Sequence, residues 1–369
     1  MYVSIGIAGT AKNTGKTTTT SSLLAELSRR KLTVFLTSIG YDGEDLDNIT
    51  GLPKPKIQMQ VGDYIATAEK CLTSGTSQIK VLQKTTIRTP LGPVCIGQIV
   101  RAGLVVTAGP NKTSDVQKIR EIFYKIGPGV YIFDGALNRI MPMAATDGLI
   151  LATGASRTVN IVELAQEAKF ICELSNLPLF EGAQDITAAH TQTTVLDARL
   201  QTNTAFSPAT LFTKDDVSDW LKAQPEANST IYIPGIIGKE AFHELYTQLC
   251  QKALPIHIVF TDPIKLIVMG DGEQLLATIN AAYAQGVFTS VMRRVPLLAV
   301  TVNPFYPQYR IESKSYTPAL IDPIRLQQTM SSELSVPIYN IRKSGSSRLV
   351  DTIESYMRPW STSYVDLEY

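Results

Sequence analysis

The run Ala11-Lys12-Asn13-Thr14-Gly15-Lys16-Thr17-Thr18 sets two lysines, a glycine and a row of hydroxyls between two apolar segments. A loop that leaves a buried strand and enters a helix aims several backbone N–H groups at one point. The helix N-terminus adds partial positive charge there, so the loop becomes an anion cradle. Gly15 lets the backbone approach phosphate oxygens with no Cβ in the way. Lys16 reaches the outer phosphates, and the Thr17 hydroxyl is placed for a Mg²⁺ that the phosphates share. Gly9, Thr10, Lys12, Asn13, Thr14 and Thr18 complete the candidate binding loop. The plain alternative is a helix cap that contains glycine and threonine.

The elements around the run favour the cradle. Residues 2–8 (YVSIGIA) are almost all apolar, as a strand buried on both faces should be. From residue 17 to 31 the apolar positions Leu23, Leu24 and Leu27 recur at helical spacing, and residues 32–40 (LTVFLTSIG) read as a second strand. Strand, loop, helix, strand is the start of a parallel sheet. Further strands are expected at 129–136, 147–156, 229–235, 256–263, 296–304 and 336–341. Helices are expected at 114–126, 160–176, 239–250 and near 323–334. Residues 41–56 form an acidic and then Gly/Pro-rich loop. Residues 56–109 alternate and carry turn glycines, which predicts a mostly β insertion. Outside that insertion, strand and helix are expected to alternate.

Composition narrows the class. The 369 residues carry 34 Lys+Arg against 33 Asp+Glu, a balance that offers no surface for nucleic acid or anionic membrane. The four cysteines and three histidines are scattered, without disulfide or zinc spacing. No basic leader and no apolar stretch of bilayer length is evident, so a cytoplasmic protein is expected.

The form G-T-x-x-x-x-G-K-T, from Gly9 to Thr17, resembles dethiobiotin synthetase and the cobyrinic acid a,c-diamide synthases. Residues 12–18 also look like the K-N-S-G-K-T-T of the molybdopterin-guanine dinucleotide MobB proteins. All belong to the P-loop class that includes MinD-type ATPases. The signature lysine of MinD-type proteins falls here on Ala11, so that role is not carried over. The resemblance covers about half the chain. It implies an α/β P-loop NTPase whose mostly parallel sheet is flanked by helices and carries the β insertion. Residues 1–55 and 110–186 would be the nucleotide-binding core and 56–109 the insertion. Residues 187–369 would be a further α/β segment whose C-terminal part completes the sheet.

The same resemblance supplies site roles. FDGALNR (133–139) stands where these enzymes have strand-E-G-A-G-G, so Asp134 is the candidate Mg²⁺ ligand and catalytic acidic group, direct or through water. A turn aspartate is the alternative. The acidic loop stands where the class places a switch or substrate loop. Asp42, Glu44 and Asp45 would complete the Mg²⁺ shell or act as base, unless they are merely solvated. Lys54 would meet an anionic substrate or belong to a stiff linker. AVTVNPFYP (299–307) resembles the late strand whose Asn contacts the purine. Asn303 can read a base edge with donor and acceptor, or simply turn the chain before Pro304.

The expected cofactors are ATP, with GTP disfavoured because no N-K-x-D signature appears, and Mg²⁺. The first functional expectation is an enzyme that activates or phosphorylates a small molecule with ATP. The other is a regulatory or chaperone NTPase acting on a client protein, such as a cofactor-dependent enzyme. Neither nucleic acid nor a membrane is an expected partner, and a homodimer is one expected assembly. The loops at the strand carboxyl ends should ring one cleft, with the insertion over or beside it as lid or platform.

Overall fold

The computed structural model describes residues 1–40, 57–182, 186, 191–206, 209–221, 225–311 and 314–361. Contacts divide the chain into two compact units, Met1–Ala168 with Leu297–Tyr369, and Lys169–Pro296. The fold is α/β.

The first unit opens with β1 (Tyr2–Gly9), α1 (Lys16–Arg29), β2 (Val34–Ser38), β3 (Ile57–Met59) and β4 (Tyr64–Ala68). It continues through β5 (Gln78–Thr89), β6 (Gly92–Arg101), β7 (Gly103–Val105), α2 (Thr113–Ile126), β8 (Gly129–Ala136) and β9 (Gly148–Gly154). The unit boundary falls within α3 (Ile161–Ser175). The second unit holds β10 (Thr193–Leu196), β11 (Thr202–Phe206), α4 (Lys214–Leu221), β12 (Thr230–Ile233) and α5 (Lys239–Gln251). There follow β13 (Ile256–Phe260), α6 (Ile264–Ile267), α7 (Gly272–Tyr283) and β14 (Val287–Val291). The chain then returns to the first unit with β15 (Leu297–Asn303), β16 (Phe305–Arg310), β17 (Ser315–Leu320), α8 (Pro323–Glu333), β18 (Ile338–Tyr339), α9 (Ile341–Ser344) and α10 (Ser347–Ser355).

A nine-stranded mixed sheet of order β18-β15-β9-β1-β8-β2-β4-β6-β5 organises the first unit. The strands from β18 to β4 run parallel, and β6 and β5 add antiparallel at the edge. Alternation along the strands sends side chains to two covered faces. On one, Val3, Ile5 and Ile7 of β1 join a cluster with Leu23, Leu24 and Leu27 of α1 and Leu349, Val350 and Ile353 of α10. On the other, Phe35, Tyr131 and Phe133 pack with Phe123 of α2. Each such side chain, fully buried, contributes about 1.5–3 kcal/mol. That double cover is why the strands read as continuous apolar runs.

The second unit has a five-stranded sheet of order β11-β10-β12-β13-β14. Its β12, β13 and β14 are parallel, and β10–β11 is an antiparallel hairpin beside β12. No helix among the described residues is long and apolar enough to cross a membrane.

The insertion is β-structured and lies beside the parallel strands: β4, β6 and β5 prolong the sheet beyond β2, and the β3–β7 ribbon packs against α1 through Ile57, Met59 and Val105. One expectation needs correction: strand and helix fail to alternate everywhere, because β10–β11 and β16–β17 are antiparallel ribbons. In the second ribbon Pro307 lies opposite Pro318. Proline cannot donate to a ladder and so hides a strand in the sequence, yet it is tolerated in a ribbon with open edges.

Candidate functional site

β1 ends at Gly9, and the chain turns through residues 10–15 into α1. The backbone of this turn is left-handed twice, at Asn13 (φ 64°) and at Gly15 (φ 94°), the cap of α1. Gly15 is suited to that conformation, and successive residues of opposite hand make a concavity of N–H groups. The first helical bond runs from Thr19 N to Gly15 O at 2.8 Å, which leaves the earlier N–H groups of α1 without intrahelical partners. At Gly9 a Cβ would stand 3.2 Å from Lys16 Cβ, so the strand end and the lysine stem are closely apposed.

Neighbouring strands hold the turn. Thr10 N donates to Ala152 O at 3.0 Å and Thr10 Oγ1 to Thr153 Oγ1 at 2.9 Å, both on β9. Thr14 Oγ1 donates to Ala11 O at 2.9 Å. The carbonyl of Asn13 accepts from Asn303 Nδ2 at 2.8 Å and from Ser156 Oγ at 3.2 Å. Asn303 Oδ1 accepts from Phe305 N at 3.3 Å. Both ends of the Asn303 amide therefore brace the cradle and the turn after β15, and its Cβ lies 3.2 Å from where a Gly15 Cβ would be.

Lys16 Nζ lies 3.0 Å from Asp134 Oδ2, and their side chains are 13% and 5% exposed. Asp134 sits at the carboxyl end of β8, level with Ile7 of β1 and Ser38 of β2. Its carbonyl accepts from Ile39 N at 2.7 Å. A largely buried pair of this kind is costly to break on one side only. It is a reservoir of charge that a phosphate and a cation can divide between them.

Of the residues expected at the site, Gly9, Thr10, Asn13, Thr14, Gly15, Lys16, Asp134 and Asn303 converge at this carboxyl edge. Thr17 and Thr18 follow on the first turn of α1, and Lys12 is exposed on the turn. Asp42, Glu44, Asp45 and Lys54 lie outside the described residues. Among the described residues there is no cluster of three acidic, histidine or cysteine side chains suited to a metal. Mg²⁺ asks for less, since it keeps several waters and takes one or two carboxylates plus phosphates. Asp134, beside Lys16, is the carboxylate that could serve, and Thr17, on the first turn of α1, would supply a hydroxyl.

A cleft beside the cradle is lined by Thr18, Thr301, Asn303, Ile341 and Arg342 among others. Arg342, on α9, was not foreseen. Its only sequence signal is a basic residue just after the last strand.

No family model, characterised protein or solved structure matches the chain significantly. The functional reading therefore rests on the residues themselves.

Proposed function

We propose that the protein binds a Mg²⁺–nucleoside triphosphate, ATP by preference, on the β1–α1 turn and uses it to activate or phosphorylate a small molecule. The observation that carries this reading is the pairing of Lys16 with Asp134 at the rim of a turn built from left-handed Asn13 and Gly15. In the proposed complex the N–H groups of the turn and Lys16 hold the β- and γ-phosphates. Thr17 and Asp134 hold Mg²⁺, whose charge would offset that developing on the phosphoryl oxygens. Asn303 fixes the turn.

Calorimetric titration with Mg²⁺–ATP, repeated with Lys16→Ala, tests the reading. Micromolar binding that the variant loses supports it. Equal binding by a folded variant overturns it.

One observation favours the second reading, an NTPase cycle acting on a client protein. The β16–β17 ribbon leaves directly from the site and exposes Tyr309, Tyr316 and Leu320. Turnover raised by a protein fraction of a cell extract, and not by its small molecules, would favour the client.

A further inference from the structure

The β16–β17 ribbon has two faces of opposite character. Residues paired across an antiparallel ribbon share a face, and successive pairs alternate. Phe305 pairs with Leu320, Pro307 with Pro318 and Tyr309 with Tyr316, so one face is apolar or aromatic at every rung and carries no charge. The tyrosine rings meet on it, with centroids 5.2 Å apart. The other face holds Gln308 opposite Thr317 and Arg310 opposite Ser315, and Arg310 Nε donates to Thr317 Oγ1 there at 3.3 Å.

Exposure runs against the usual order, in which the apolar side is covered and the polar side meets water. Tyr309, Tyr316 and Leu320 are 51%, 41% and 68% exposed, and Ile311, just past the last rung, is 79% exposed. Gln308 and Thr317, on the polar face, are half-buried. Both strands are fixed at the root. Ile321 N donates to Pro304 O at 3.0 Å, Phe305 N to Asn303 Oδ1 at 3.3 Å and Ser156 Oγ to Phe305 O at 3.1 Å. The apolar face is therefore held toward solvent. It offers about 500 Å² of apolar surface, the scale at which an exposed patch marks an interaction site.

The face suits a second copy of this chain. Across a two-fold axis each rung can meet its own copy, tyrosines on tyrosines and prolines on prolines. A charged rung would face like charge in that arrangement, and these rungs have none. Two copies stacked here would cover about 1,000 Å² in total, the lower limit of a specific interface. That area fits a dimer that dissociates on dilution.

We propose that the β16–β17 ribbon is a homodimerisation surface, on which two copies of the chain stack their apolar faces about a two-fold axis. The proposal stands apart from the nucleotide reading and gives the ribbon an occupant other than a client protein.

Sedimentation equilibrium of the full chain, from micromolar to submillimolar concentration, tests it. A monomer–dimer equilibrium is expected. Tyr309→Asp and Leu320→Ser should each weaken it at least tenfold, since each sets a polar group against its own copy. Arg310→Ser, on the other face, should leave it within about twofold, as expected for an exposed charge outside the contact. Should Tyr309→Asp fail to melt cooperatively, Leu320→Ser carries the test. A monomer at every concentration overturns the proposal and leaves the face to a client protein. A dimer that the folded ribbon variants retain, or that Arg310→Ser weakens as much as they do, overturns it too.

Discussion

Asn303 Nδ2 donates to the carbonyl of Asn13 at 2.8 Å across 290 residues of sequence. The end of β15 therefore fixes the turn that follows β1. Asn303→Ala should remove that bond and its packing on Gly15. A net loss of about 1 kcal/mol per hydrogen bond implies nucleotide binding weakened roughly five- to tenfold, with the melting temperature little changed. Calorimetry on the variant checks this, and unchanged affinity would release Asn303 from the cradle.

The Lys16–Asp134 pair couples binding to stability. Lys16→Ala leaves a buried carboxylate, and about 3 kcal/mol of destabilisation is expected from the broken pair. Adding Asp134→Asn should recover part of that loss, giving a coupling of about 1–3 kcal/mol in a double-mutant cycle by urea unfolding. Asp134→Asn alone should cut turnover by about 10² while keeping much of the nucleotide affinity. Strictly additive stabilities would show the two groups to be independent.

At the amino edge Asp147 accepts from Ser4 N at 2.9 Å, Ser4 Oγ at 2.6 Å and Arg120 Nη2 at 3.1 Å. Asp147→Ala strands these donors and should destabilise the fold by about 2–4 kcal/mol. The turn proposed to hold phosphate is at the opposite end of β1, so ATP affinity of the folded fraction should be unchanged. Unfolding curves and calorimetry on one preparation separate the two effects.

His257, on β13, lies between Phe180 and Phe288, with ring centroids 5.9 and 5.1 Å away. Burial holds its pKa below the ordinary 6.5, against a weaker upward pull from Glu181, and Nδ1 is buried without a hydrogen-bond partner. The unfolded chain takes a proton near pH 6.5 that the folded chain refuses. The stability His257 allows is therefore full above that pH and falls as pH drops through it. Stability should fall between pH 7.5 and 5.5, and the fall should shrink in His257→Phe. An identical pH slope in the variant would place the acid sensitivity elsewhere.

Much of this could be read along the chain. Residues 2–8 and 129–136 are apolar at nearly every position because both faces of the sheet are covered, and burial of that kind is written locally. Leu23, Leu24 and Leu27 announce α1 by their spacing, and Gly15-Lys16-Thr17 announces the turn because its conformational and chemical needs lie within a few residues. Strand order is not written that way. That β8 lies between β1 and β2, bringing Asp134 to Lys16, and that β15 pairs with β9, bringing Asn303 to Asn13, follow from how long connections cross and pack. Residues 57–109 show strands by alternation, but whether such strands cover a cleft or lengthen a sheet depends on which edge has open hydrogen bonds, and here β2 supplied it. Arg139 and Arg342 carry no local mark beyond being basic residues that follow a strand. Only the tertiary fold brings one to the end of β2 and the other to the cleft beside Asn303, because their surroundings are made by segments far apart in sequence.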